Sequence, residues 1–380
     1  MLLSTGGIAR RSSTPGWLAG KPVNEWFEIP GTNMSSVLPS NTYSGTPEAR
    51  VTAWNGAGLK RAGSVYLAGA AGGHADYSGN DVVALRLSVD SPAWSMLRDT
   101  TPQNQVVNDA AVYLDYRRSA THTYWLTQFV EALNRLAIFP APGMGDGQYA
   151  SITSANAAHV SAYSGGIVAS FSLDTNDWDA TVMQSTGSGV IATWPGSGDF
   201  TASLCCTDHS TGNVFLAREG EGTHSLWKWT RATNAWSQLN AGNFWHINYG
   251  AGAIDHTRGK MLVVGDYGGT LAARVYNISD GSTDSVTFTG LGGDALKMSG
   301  YPGLFYDEAN DRFVVVSNTN PITLLTVSPA WDVASLSTTG TAPATRTNGI
   351  LNAPQYVPEL RGVALCNSHS ENVKFMKVAA

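Results

Sequence analysis

Ten residues carry most of the chemistry this chain can offer: His74, Asp76, Tyr77, His122, Tyr124, His159, Trp245, His246, Tyr267 and His369. Imidazoles, a carboxylate and aromatic rings set among Gly, Asn and Ser suit the reception of sugars, whose hydroxyls meet the polar tips while their C–H faces lie on the rings. Three imidazoles converging on one point would instead hold a metal. No pair of histidines stands at a local ligand spacing, so these side chains are expected to bond neighbouring backbone, and no metal or other cofactor is expected. A glycosidase needs two facing carboxylates. The candidates Asp76, Asp109, Asp146, Glu219, Glu221, Asp266 and Asp294 are scattered, each reads first as a turn residue, and no catalytic residue is assigned. The run Asp76-Tyr77-Ser78-Gly79-Asn80-Asp81 clusters hard oxygens as a calcium loop does, but without the twelve-residue ligand pattern. It reads better as a turn that uses Gly79.

The elements that must position these residues repeat. An apolar residue, six others and then Trp occur at Leu87–Trp94, Phe171–Trp178 and Trp229–Trp236, and Ser-Pro-Ala-Trp recurs at Ser91–Trp94 and Ser328–Trp331. A large ring at a fixed turn position, recurring tens of residues apart, marks an array in which one sheet packs on the next. Helical periodicity is almost absent, and β-branched and aromatic runs cut by Gly, Asn, Asp and Pro group in fours. The first group begins with Val51–Leu59. The fourth reads His246–Ile254, Lys260–Gly265, Ala272–Asn277 and Ser285–Thr289. The last supplies only three strands, Ala353–Val357, Arg361–Cys366 and Asn372–Val378, whereas Asn24–Pro30 is an orphan carrying Trp26. The expectation is an all-β, six-bladed β-propeller whose N-terminal strand, about 24–30, completes the last blade and leaves no open sheet edge. The blades fall at about 47–99, 105–184, 200–240, 244–290, 300–337 and 350–380. Residues 22–380 form one domain, and 1–21 a flexible or docking tail.

In such a ring the connections between blades and those between second and third strands share one rim. Here those are the long ones, among them Gly72–Asn80, Thr100–Thr121, Ala141–Gly165 and Thr338–Asn352, while the other rim has tight turns such as Asp208–Gly212. Long loops on a rigid scaffold usually carry binding, and the ten residues above lie on or beside that rim.

Composition narrows the partners. The charged fraction is 14% and the formal net charge −6, and no basic cluster exceeds Arg10-Arg11 or Arg117-Arg118, so nucleic acid is not an expected partner. Three cysteines, two of them adjacent, make no disulfide framework. They read as buried structural residues. Met1-Leu2-Leu3 passes at once into Ser-Thr-Gly-Gly, so neither a signal peptide nor membrane insertion is expected, and synthesis is placed in the cytoplasm.

The double glycine Gly72-Gly73, the later apolar run and the step to Trp94 resemble a kelch repeat of the galactose-oxidase-like propeller type. Arg118-Ser119-Ala120-Thr121-His122-Thr123-Tyr124, Asn134-Arg135-Leu136-Ala137-Ile138-Phe139 and Gly73–Asn80 are similar to blade openings in bacterial and phage-encoded propellers. The resemblance implies the fold, while such propellers host lectins, oxidases, scaffolds and lyases alike. Copper-radical oxidation needs two histidines, an axial tyrosine and a tyrosine crosslinked to cysteine, a set this sequence lacks. Sialidase chemistry is set aside because no Ser-x-Asp-x-Gly-x-x-Trp box occurs. The expected function is a non-catalytic binding module, a virion or tail-associated protein that recognises a host-surface glycan or a neighbouring structural protein and can form a homo-oligomer. The alternatives are a carbohydrate-active hydrolase or lyase acting at the long-loop rim, and a purely structural virion assembly protein.

Overall fold

The computed structural model describes residues 14–40, 45–69, 72, 76–106, 113–115, 117–141, 167–179, 204–218, 225–241, 250–267, 271–298 and 300–380. Six sheets, antiparallel except for a two-residue parallel pairing at the outer edge of two of them, stand around a central bore as a six-bladed β-propeller. Blade one is built from Gly58–Lys60, Val65–Gly69, Val82–Arg86 and Trp94–Arg98, taken from the bore outward. Thr127–Val130, Leu204–Asp208, Ala251–Asp255, Gly303–Asp307 and Gln355–Val357 are the innermost strands of blades two to six, and each inner strand touches the next around a closed ring.

The turn after each inner strand explains why these sequences make hairpins. Its fifth position takes a left-handed backbone in all six blades, at Ser64, Asn134, Gly212, Gly259, Asp311 and Arg361. Gly and Asn occupy half of those positions, as the sterics of positive φ favour. Asp208, Asp255 and Asp307 open three of the turns and accept bonds from residues two or three further on. They thereby hold the chain in the bend.

The tryptophan repeat has a direct cause. Phe171 stands opposite Trp178, and Trp229 opposite Trp236, on the outer hairpins of blades two and three. In blade one the partner of Trp94 is Leu85, not Leu87, because the connection through Pro92 is longer. The indole N–H of Trp94 donates to the Thr32 carbonyl, on the linker leaving blade six, and that of Trp178 to the Asn80 carbonyl, on the loop between the second and third strands of blade one. The apolar core accordingly lies between blades: one cluster joins blades one to three, another three to five, and two more join five, six and one.

The ring closes as a two-way pairing of termini. Glu25–Glu28 is the outer strand of blade six and runs antiparallel to Lys374–Lys377, with Trp26 opposite Met376 and Phe27 opposite Phe375. Lys374 Nζ donates to Glu28 at 2.8 Å across the same seam. The preceding segment lies against the seam as well, with Trp17 beside Phe375 and its indole donating to the Leu87 and Val89 carbonyls.

Three details differ from the sequence reading. Within the run Val51–Leu59 only Gly58–Lys60 begins a strand; Ala49–Thr52 is a single helical turn, because Arg50 is drawn into a buried ion pair. The inner strand of blade four is Ala251–Asp255, shorter than His246–Ile254. Its outer strand is the two-residue Thr283–Asp284, and Thr289–Gly290 instead runs parallel to the outer strand of blade five. Thr339–Gly340 does the same on blade six. In both places the linker follows the next blade's outer edge before turning inward.

Candidate functional site

At the long-loop rim the helical turn Ala49–Thr52 brings Arg50 into the interior between blades one and six. Its Nη1 donates to Asp81 at 2.7 Å and its Nη2 to the Val37 carbonyl at 2.8 Å, and Nη2 lies 3.0 Å from Nε2 of His369. Tyr77 donates its hydroxyl to the other Asp81 oxygen at 2.8 Å. Burial raises the Asp81 carboxyl above its usual range, against the pull of Arg50 and Tyr77. A guanidinium has no lone pair, so Nε2 of His369 must accept. Burial, and then the Arg50 charge, push that imidazole down to about 4.

A second network adjoins it through the neighbouring residue, Asp76. His122 Nε2 lies 2.8 Å from Asp76 Oδ2 and Nδ1 lies 3.3 Å from the Tyr124 hydroxyl. The Trp54 ring packs against the imidazole at 4.8 Å. The Asp76 side chain is 40% exposed and that of His122 only 5%. Trp54, Tyr124 and Tyr301, with φ of 48°, 44° and 59°, hold left-handed backbone just before the inner strands of blades one, two and five. The Tyr124 N–H donates to the Trp54 carbonyl at 2.7 Å, and the Ile350 N–H to that of Tyr301 at 2.8 Å. Arg346, buried beside them, donates to the carbonyls of Val51 and Ile350.

The structure therefore brings together Asp76, His122 and Tyr124, and links Tyr77 to His369 through Asp81 and Arg50. Tyr77, His122, Tyr124 and His369 are buried; they frame the rim rather than line its surface. Tyr267 ends the second strand of blade four. His74, His159, Trp245 and His246 lie outside the described residues. Trp54, Arg50 and Arg346 carry no local signal, because Arg50 and Trp54 sit in or beside the apolar run Val51–Leu59 and Arg346 in a long loop.

The opposite rim held more than its tight turns suggested. The second position of successive inner turns is Arg61, Glu131, His209, His256 and Glu308, with Pro358 in blade six. Arg61 donates to Glu308, and His256 Nδ1 lies 3.8 Å from the same carboxylate. Glu131 accepts from the backbone N–H groups of Arg61 and Ala62. His209 is exposed and stands near the charged or titratable Arg61 and His256. Of these turn residues, Arg61, His209 and Glu308 line a bore cavity of about 90 Å³. Aligning the six turns would have exposed the set, since position, not local motif, unites it. Cys205 and Cys206 line the bore wall as buried thiols outside any disulfide, with burial pushing both thiol pKa values up. Among the described residues no group of three His, Cys, Asp or Glu is placed to hold a metal ion.

No protein-family model matches the chain, and no curated protein matches it in sequence. Solved structures with a similar fold include a chain of a nidogen/laminin complex, at 10% identity and TM-score 0.44 over 80% of this chain and 85% of that one. YjhT is similar at 9% identity and TM-score 0.46 over 86% and 94% of the two chains. A chain of the mitotic checkpoint complex is similar at 10% identity and TM-score 0.48, over 97% and 98%. Likeness at this distance concerns the fold and carries nothing about ligand or activity.

Proposed function

We propose that the chain is a non-catalytic binding module whose long-loop rim receives a glycan. The observation that carries this reading is the left-handed backbone of Trp54, Tyr124 and Tyr301. A bulky residue in that conformation costs on the order of 1 to 3 kcal/mol, persists only where its surroundings over-determine it, and is typical of ligand clamps. Trp54 and Tyr301 remain partly exposed, and the Asp76 carboxylate, bonded to the His122 ring that packs on Trp54, is open. Rings for C–H faces and a carboxylate for hydroxyls are thus held in advance by the buried Arg50 and His122 networks. The kelch-like motifs near Gly72 and Arg118 support placing the module on a virion or tail, where its ligand is a host-surface polysaccharide or a structural neighbour.

The test is retention of the purified protein on immobilised bacterial polysaccharides, with mass spectrometry of the glycan. Retention with intact glycan, lost in Trp54→Ala, is the expected result. Shortened products would replace this reading with a hydrolase or lyase, and absence of retention across the panel would leave the assembly role.

A further inference from the structure

We propose that the short-turn mouth of the bore is a second binding site, independent of the long-loop rim, for a small uncharged polyol or a single sugar ring. Several charged groups there are already satisfied. Arg61 and Glu308 are paired, and Glu131 is taken by two backbone N–H groups. An anion entering the mouth meets Glu308 and a cation meets Arg61, so neither gains a net attraction. A hydroxyl both donates and accepts, and it can use both members of the pair at once.

The groups left over match such a ligand. His209 has no hydrogen-bond partner among the described residues and faces the bore. The Tyr356 hydroxyl accepts from the Ala309 N–H at 3.1 Å and keeps its own proton to donate. Glu308 Oε2, and Nε and Nη1 of Arg61, make no bond in the described structure. The Tyr356 ring lies parallel to that of Phe305, 6.0 Å between centroids and 8° between planes, which fixes an apolar face at the edge of the cavity. Donors, acceptors and one ring face on a rigid wall are the usual equipment of a polyol site. The open volume of about 90 Å³ corresponds to about three waters at their liquid volume. That is room for a small polyol or one edge of a sugar ring, not a chain. Deeper in the bore, Gln128, Thr207, Asn352 and Gln355 bond to one another or to neighbouring inner strands, so the free polar groups are concentrated at the mouth.

The experiment is isothermal titration of the intact protein with glucose, galactose, inositol and glycerol, using acetate and methylammonium as charged controls. Glu308→Gln and Tyr356→Phe address the mouth, and Trp54→Ala addresses the rim. A partly exposed ion pair contributes little to folding, and a thermal melt checks that both mouth variants stay folded. The expected result is saturable binding of at least one polyol, weakened about tenfold by either mouth variant, as loss of a direct hydrogen bond implies, and unchanged in Trp54→Ala. The proposal falls if no polyol in the panel saturates, if a charged control binds as tightly, or if the mouth variants bind as well as the parent. Because the rim variant is scored separately, failure here leaves the polysaccharide reading standing, and the reverse also holds.

Discussion

His369 is a histidine whose role is set by its neighbour. Arg50 donates to its Nε2, which requires a neutral ring, and the imidazole pKa is accordingly pushed from 6.5 to about 4. In the unfolded chain the same ring takes up a proton near its ordinary value. Between those limits the unfolded state binds more protons than the folded one, so stability falls as pH drops from 6.5 toward about 4. Urea midpoints measured across that window should decline with acid, and His369→Gln, which still offers Arg50 an acceptor, should flatten the decline. An unchanged slope in the variant would show that His369 is not the titrating group. From the sequence His369 was a rim histidine of unspecified purpose. Its buried partner lies 319 residues away in the chain, a separation at which no spacing rule operates.

At the scale of elements, the two linkers that follow a neighbour's outer edge depend on glycine. Gly340 has φ of 74° and a methyl added there would run into the Trp26 carbonyl oxygen; Gly290, at 66°, would meet that of Val333. Gly292, at 77°, has open space around its α-carbon. Gly340→Ala should therefore cost more than about 1 kcal/mol, and Gly292→Ala only the conformational part of that. Equilibrium denaturation of the two variants measures the difference, and equal losses would show that the close approach carries no energy. Local patterning served well for elements defined by their own hairpins, such as Arg312–Val316 and Leu324–Val327. It failed at Thr289–Gly290 and Thr339–Gly340, because a two-residue parallel pairing with another blade leaves no periodicity. The helical turn at Ala49–Thr52 failed for a different reason. A four-residue helix is below any nucleating length and is held by the tertiary bonds of Arg50 and Arg346.

On the scale of the whole molecule, the seam between Glu25–Glu28 and Lys374–Lys377 converts an open array into a ring. Each blade has an apolar face it cannot bury alone, and an open ring would leave the clusters around Phe375 and Met376 without their last cover. Trp26, only 2% exposed, is the largest side chain on the closing strand. Trp26→Ala should destabilise by about 3 to 5 kcal/mol, as large-to-small changes of buried aromatics do. Chemical denaturation followed by circular dichroism checks it, together with proteolysis, which should begin at the termini if the seam opens first. A loss below about 1 kcal/mol would mean that the ring is held by its interblade cores rather than by its closure.

The all-β class, the six-fold repeat and the terminal closure are legible in the residues alone, because they follow from turn chemistry and from a large ring recurring at fixed hairpin positions. So is the placing of Asp76, His122 and Tyr124 on one rim. The packing of distant blades is what makes Tyr77, His122 and His369 buried supports, pairs Arg50 with Asp81 beneath them, and brings Arg61, His209 and Glu308 to the far mouth of the bore. Burial and convergence arise where distant blades close on one another, and residues tens to hundreds of positions apart leave no local pattern by which one can announce the other.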